Sequence, residues 1–249
     1  MEQVSGEVGA NQPSADVPSA NAPSVNEPSA NAPSVNEPSA NASVLAAPTS
    51  ARPVLAWMLA VGLLLHALTA SLLGSALIDS SFPDRPRPDD LLFTLLPYVG
   101  AARYLTVVAL VGGFGAFLVD TLRRDRTRLP EYISVFALMY LMRAVIMVLT
   151  PLGSAQGEGA FVFSQQQFGM FPSGHVAACT LLVMLTPTDR GPWLPGFQQL
   201  LLVLMCAGLL LAHGHYSIDV VGGLLLGHFV VHTWRSGRLF ARFRRITGP

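Results

Sequence analysis

Residues 53–78 read PVLAWMLAVGLLLHALTASLLGSALI and contain no Asp, Glu, Lys or Arg. An α-helix needs about 20 consecutive apolar residues to cross the hydrocarbon core of a bilayer, so this run is long enough for one membrane-spanning helix. The whole chain shares its character, because 51% of its 249 residues are hydrophobic and only 12% are charged. Soluble domains carry about 25% charged residues. The composition therefore indicates a membrane protein and gives no sign of a nucleic-acid partner.

Further apolar runs follow the first one along the chain. They predict five more spans, at about 99–120, 131–152, 172–186, 196–213 and 215–234. A polar, Pro-rich loop separates the first two spans, and residues 88–98 are expected in or near the membrane interface. The predicted fold class is all-α, a bundle of six transmembrane helices formed by residues 49–236.

The segments outside the bundle differ from it in composition. PSANAPSVNE occurs at 18–27 and again at 28–37, followed by a partial third copy. Such a sequence buries too little apolar surface to offset its ordering entropy, so residues 1–48 are predicted to be a disordered tail that serves as a tether. Residues 237–249 form a basic C-terminal segment. The two cysteines, Cys179 and Cys206, lie in apolar runs and are expected to be packing residues.

Arginine predicts the orientation of the bundle, since the chain has no Lys. Ten Arg residues lie in the loops and the C-terminal segment on one side, and only Arg85 and Arg87 lie in the opposite loops. Cytoplasmic loops of membrane proteins carry the excess of basic residues. Both termini are therefore predicted to be cytoplasmic. The loops at 80–90 and 153–171 and the turn near 214 are predicted to face outward.

Two motifs whose side chains could take part in a reaction lie at that outer face. The first, FPSGH at 171–175, opens the fourth span with Ser173 as a helix N-cap. A helix N-terminus attracts anions, and His175 beside it could give a proton to a leaving oxygen. The second, HGHYSID at 213–219, places His215 and Asp219 four residues apart, on one face if both are helical. The carboxylate would then fix the imidazole tautomer.

Arg143 is a third feature, because it lies inside an apolar span, where arginine is costly and should meet an anion. A phosphate ester is one candidate partner, and Asp120, Glu131 and Glu158 are others. Each feature alone also has a purely structural explanation. A metal site is the less favoured alternative for the histidines, because His213 and His215 would point to different faces of a helix. No metal and no cofactor are expected.

The two histidine motifs resemble those of the type 2 phosphatidic acid phosphatase superfamily. Within it, residues 211–221, LAHGHYSIDVV, are similar to the Leu-Ala-His-Asp-His-Tyr-Thr-x-Asp-Val motif of the sphingomyelin synthase branch. Phe82-Pro83-Asp84 resembles the Leu-Pro-Asp motif of that branch, and Arg143 followed by Pro151 resembles its arginine motif. The resemblance covers about residues 50–235.

This resemblance implies an enzyme that works in two steps on lipids. His215, oriented by Asp219, would attack a phospholipid donor while His175 protonates the departing diacylglycerol. The resulting phosphohistidine would pass the headgroup to an acceptor such as ceramide or a diacylglycerol-type lipid. Arg143, Ser173, Gly174 and Tyr216 are expected to bind the substrate.

A lipid phosphate phosphatase on the same scaffold is the alternative, and its acceptor would be water. Phosphatases of the superfamily usually carry an Arg six residues before the second motif's His, where this chain has Leu209, and this difference favours the transferase. The Pro-Ser-Gly-His motif, by contrast, reads as it does in phosphatases. A catalytically silent lipid binder or transporter is a third possibility. The presence of both histidines and Asp219 argues against it.

Overall fold

The computed structural model describes residues 51–155, 170–238 and 240–248. The helices of this described part are α1 (Ala51–Ser81), α2 (Leu91–Leu95), α3 (Arg103–Arg124), α4 (Leu129–Leu149), α5 (Gly174–Leu185), α6 (Trp193–Leu211), α7 (Ser217–Ser236) and α8 (Ala241–Thr247). Short 3-10 turns precede α3, α4 and α6. The described part contains no strand, so the all-α prediction is confirmed. The predicted disordered tail, residues 1–48, lies outside the described residues.

Five of these helices are long and apolar enough to cross a membrane: α1, α3, α4, α6 and α7. Their bounds lie within a few residues of the predicted spans. The fourth helix, α5, also lies within two residues of its predicted span, but it has only 12 residues. At 1.5 Å per residue it is about 18 Å long, and the hydrocarbon core is about 30 Å thick. The chain thus has the composition and helices of a multi-pass membrane protein, and α5 is an apolar helix shorter than the hydrocarbon core.

Helix α5 and the five long apolar helices alternate in direction along the chain. At one end of the bundle, the N–H of Val99 donates to the Leu211 carbonyl at 2.8 Å, which joins the start of α3 to the end of α6. At the other end, Arg235 at the end of α7 donates to the Met184 carbonyl near the end of α5 at 2.6 Å. The arginine-rich loops and α8 lie at this second end, called here the arginine end. The first end, with the turn between α6 and α7, is called the site end.

Helices α5 and α7 run parallel and pack closely through glycine. A Cβ atom on Gly223 would lie 2.7 Å from the Ser173 carbonyl oxygen, and one on Gly227 would lie 2.7 Å from the Thr180 Cβ atom. Only glycine permits these approaches, and small residues four apart are a common means of packing membrane helices. The two cysteines are free thiols, and Cys179 is buried on α5.

The C-terminal segment folds back onto the bundle at the arginine end. Trp234 on α7 is buried, and its indole N–H donates to Glu131 Oε1 at 3.1 Å. Arg244 on α8 donates to the Trp234 and Arg235 carbonyls at the end of α7. Carbonyls at a helix C-terminus have no partner within the helix, so Arg244 satisfies them. The sequence analysis predicted a basic segment here but not a helix.

Candidate active site

His215 and Asp219 form a hydrogen-bonded pair at the site end. Asp219 Oδ2 lies 3.1 Å from His215 Nδ1 and accepts the backbone N–H of Tyr216 at 3.1 Å. The sequence analysis expected both residues on one helix, whereas α7 begins at Ser217 and His215 precedes it. Asp219 is the third residue of α7, so its carboxylate reaches back past the helix start. The N-terminal end of the helix dipole stabilises a negative charge at this position.

This pair is buried and determines which imidazole nitrogen is reactive. Asp219 is 0% exposed and His215 is 5% exposed. An ionised carboxylate can only accept hydrogen bonds, so His215 Nδ1 carries the proton and donates it to Asp219. The lone pair of the neutral imidazole is then on Nε2. A nucleophile or a base needs such a lone pair.

His175 approaches the pair from another helix. Its ring centroid lies 6.0 Å from that of His215, and the two ring planes are inclined by 67°. Ser173 caps α5 by accepting the Val176 N–H at 3.4 Å, as the sequence analysis predicted. The backbone N–H of Ser173 donates to the Asp219 carbonyl at 3.0 Å. This bond ties the start of α5 to the first turn of α7, and it brings the two histidines together.

Arg143 reaches the same region from α4. Its Nε donates to the Pro172 carbonyl at 2.9 Å, directly before the α5 N-cap. A Cβ atom on Gly174 would lie only 3.1 Å from Arg143 Nε, so a side chain there would displace the guanidinium group. Gly174 therefore permits the arginine to approach the start of α5. The guanidinium group lies beside a helix N-terminus, where an anion is favoured.

The acidic residues considered as alternative partners of Arg143 are occupied elsewhere or lie outside the described residues. Asp120 Oδ1 accepts from Arg124 Nε at 2.8 Å, and Glu131 accepts from the Trp234 indole. Both lie at the arginine end. Glu158 falls within residues 156–169, which are outside the described residues.

Tyr216 follows His215 in the chain and holds the turn between α6 and α7 in position. Its side chain is buried, and its hydroxyl donates to the Ser154 carbonyl at 3.2 Å. Burial raises the pKa of Tyr216, and the nearby Asp219 carboxylate adds to the effect. The phenol therefore stays protonated and remains a donor. The hydroxyl is directed to the segment after α4, although the sequence analysis expected it to bind substrate.

Asp90 is a part of the site that the sequence analysis missed. Its Oδ1 accepts the Leu92 N–H at 2.8 Å and so caps α2. Its Oδ2 accepts the N–H of Ser217, the first residue of α7. One carboxylate thus caps two helices, although Ser217 lies 127 positions after Asp90. An Asp directly before an apolar run is a recognisable cap signal, but its second partner has no sequence signal.

The interfacial helix α2 also covers His213. Phe93 on α2 stacks on the His213 ring with centroids 4.3 Å apart, and Tyr98 meets it edge-on at 5.3 Å. His213 has a φ of 48°, which is uncommon for a residue other than glycine. In the described residues, no three His, Cys, Asp or Glu side chains lie together as metal ligands would.

Comparison with known proteins gives one match, and it covers the segment that carries these histidines. Residues 170–236 match the family model described as PAP2 superfamily C-terminal. No curated protein matches the chain. Proteins of this superfamily are lipid phosphatases or phosphotransferases, so an enzyme acting on lipid phosphate esters fits the match. The match shows a similarity to the PAP2 superfamily over the segment that carries both histidines and Asp219.

Proposed function

We propose that the protein transfers a phospho-headgroup from a glycerophospholipid to a lipid hydroxyl such as that of ceramide. The observation that carries this proposal is the buried hydrogen bond between His215 Nδ1 and Asp219 Oδ2, with His175 facing the same imidazole. It leaves Nε2 of His215 as a nucleophile and supplies a second imidazole for proton transfer. These are the groups that phosphoryl transfer through a covalent intermediate requires.

In the first step, His215 Nε2 attacks the phosphorus of the donor lipid. The bond between phosphorus and the diacylglycerol oxygen breaks, and protonated His175 gives its proton to that oxygen. Diacylglycerol leaves, and the headgroup phosphate is bonded to His215. Asp219 balances the positive charge that develops on the imidazole. Arg143 and the N–H groups at the start of α5 stabilise the charge on the phosphate oxygens.

In the second step, the acceptor lipid enters where diacylglycerol left. Its hydroxyl gives its proton to His175, and its oxygen attacks the phosphorus. The bond between phosphorus and His215 Nε2 breaks, and the electron pair returns to the nitrogen. His175 is protonated again, so both histidines are restored. His175 thus gives a proton to the leaving diacylglycerol in the first step and takes one from the acceptor hydroxyl in the second.

The surroundings of the histidines support a transferase over a phosphatase. A cluster of buried apolar side chains joins the three helices that carry the site, and it includes Val176, which follows His175, Leu209 on α6, and Val220, which follows Asp219. A covalent phosphohistidine survives until a lipid arrives only if water is kept away from it. Leu209 occupies the position where phosphatases usually carry an Arg. The phosphatase remains the second candidate, because Pro172 to His175 read as in phosphatases and the helix cap at Ser173 suits either acceptor.

The test uses full-length protein in vesicles that contain a phospholipid labelled in its headgroup phosphate. We expect label in a new lipid when ceramide or diacylglycerol is added, and slow release of water-soluble label without an acceptor. His215→Ala should abolish both. Fast release that is indifferent to added acceptor would assign the protein to the phosphatases.

A second measurement tests the role of His175. His175→Ala should turn over a natural phospholipid slowly, because diacylglycerol is a poor leaving group when it must depart as an unprotonated alkoxide. A phosphodiester with an aryl leaving group needs no such proton, so the same variant should still release the aryl alcohol in a burst. A variant equally slow with both substrates would contradict the assignment of His175 as the proton donor.

A further inference from the structure

A valley runs along the outside of the bundle between α1 and α3, with α4 as its floor. α1 packs on α4 and α8, whereas α3 packs on α6 and α5, so α1 and α3 flank the valley without packing together. Two cavities lie along it, one of about 530 Å³ at the arginine end and one of about 400 Å³ closer to the site end. Leu129 lines both. The two cavities are therefore neighbours along α4.

The half of the valley at the arginine end is cationic. Arg126, in the turn after α3, and Arg245, on α8, both line its cavity. Both side chains are exposed, and neither takes part in an ion pair in the described residues. Their neighbours differ in this respect, since Arg124 is paired with Asp120 and Arg128 with Asp125. Two guanidinium groups thus border an otherwise largely apolar cavity without a carboxylate partner.

The other half of the valley is apolar and largely aromatic. Phe114 and Phe136 have ring centroids 5.2 Å apart, and Phe117 and Tyr132 have centroids 4.9 Å apart. These rings link α3 to α4 and form the floor of the cavity. α4 rises by about 16 Å between Leu129 at one end of this cavity and Tyr140 at the other. This half has the length and the lining that suit an acyl chain.

We propose that the valley binds one anionic glycerophospholipid, with its phosphate between Arg126 and Arg245 and one acyl chain along α4. Basic pockets between membrane helices bind anionic headgroups, and each arginine near the surface contributes about 1 kcal/mol. A zwitterionic headgroup would bring its own ammonium group next to the two arginines and is therefore disfavoured. The histidine pair lies at the opposite end of the bundle, so this site is separate from the catalytic proposal and does not depend on it.

Binding of phosphatidylglycerol to detergent-purified full-length protein, followed by native mass spectrometry, tests the cationic half. The variant Arg126→Gln/Arg245→Gln should bind phosphatidylglycerol about thirtyfold more weakly than the wild type. Arg123→Gln/Arg242→Gln is the matched control, because these arginines are also exposed at the arginine end but lie outside the cavity. Its affinity should change less than about threefold. An equal loss in both variants, or a wild type that binds phosphatidylcholine equally well, would overturn the proposal.

Gly115 allows a test of the acyl half. A Cβ atom on Gly115, which lines this cavity, would have nothing within 4 Å. Leu at this position should fill the valley without disturbing the helix. Gly115→Leu should weaken dioleoyl-phosphatidylglycerol about tenfold, through lost burial of the chain, and leave the dihexanoyl form unchanged. Gly62→Leu on α1 is equally unhindered, lies outside the valley and should affect neither lipid. Unchanged binding of the long-chain lipid to Gly115→Leu would refute the placement of the chain.

Discussion

Replacing Asp219 by Asn isolates the charge of the carboxylate from its shape. One oxygen, Oδ2, accepts from both His215 and the Tyr216 backbone, so the Asn oxygen can take the same place. What is lost is the negative charge beside the imidazole, worth about 4 kcal/mol at 4 Å and an effective dielectric constant of 20. The neutral hydrogen bond is also weaker, by about 1 kcal/mol. Together these terms predict a fall in turnover of nearly four orders of magnitude, the size known for the orienting carboxylate of a serine protease triad.

The assay is headgroup transfer by purified Asp219→Asn protein, with kcat and the dissociation constant of the donor lipid measured separately. We expect the dissociation constant to change little, because the carboxylate faces the imidazole and not the lipid. Asp79→Asn is the control: this carboxylate also lies at the site end, paired with Arg85 at 2.6 Å, but away from the histidines. It should keep its turnover within about threefold, because this partly buried ion pair is not a part of the histidine site. A fall of less than tenfold for Asp219→Asn would refute the role of the charge.

Three further predictions concern orientation, the tail and the turn. On a background without Cys179 and Cys206, a cysteine at Ser154 should react with an impermeant reagent in intact cells; reaction only after permeabilisation would reverse the predicted orientation. A chain beginning at Thr49 should keep its turnover in detergent, and loss of most activity in correctly folded protein would give the tail a role beyond tethering. His213→Ala should lower the free energy of unfolding by about 1 kcal/mol through lost ring stacking, as measured by denaturant titration; no change would show that the stack contributes nothing.

The sequence was sufficient to predict the helices because the bilayer imposes a simple rule of length and hydropathy. Long apolar runs with few charged residues marked every long span, and Ser173 marked the start of α5 as an N-cap. The rule failed where packing decides the outcome. The bounds of α5 follow the predicted span, but its close packing on α7 through Gly223 and Gly227 is a contact that no local pattern reports. α8 was missed because its stability comes from contacts with α1, α4 and the end of α7.

The candidate site was predictable in its residues but not in its local geometry. Spacing brought His215 and Asp219 together correctly, although through a carboxylate at a helix start and not along a helix face. The contact of Arg143 with the Pro172 carbonyl spans 29 residues, and that of Asp90 with Ser217 spans more. A sequence read alone gives residue types and short spacings, whereas contacts between distant helices depend on how the bundle closes. Asp90 was missed for this reason.

The length of α5 has a consequence for how the protein is made. A helix of 12 residues is too short to be held in a bilayer by its own hydropathy, so its insertion depends on neighbours. Its closest partner, α7, carries Gly223 and Gly227 and leaves the ribosome after it. We therefore expect the fourth crossing to settle only once the last helix has been synthesised. The two histidines lie on opposite sides of that junction, so we expect the candidate site to be completed as the final event of membrane insertion.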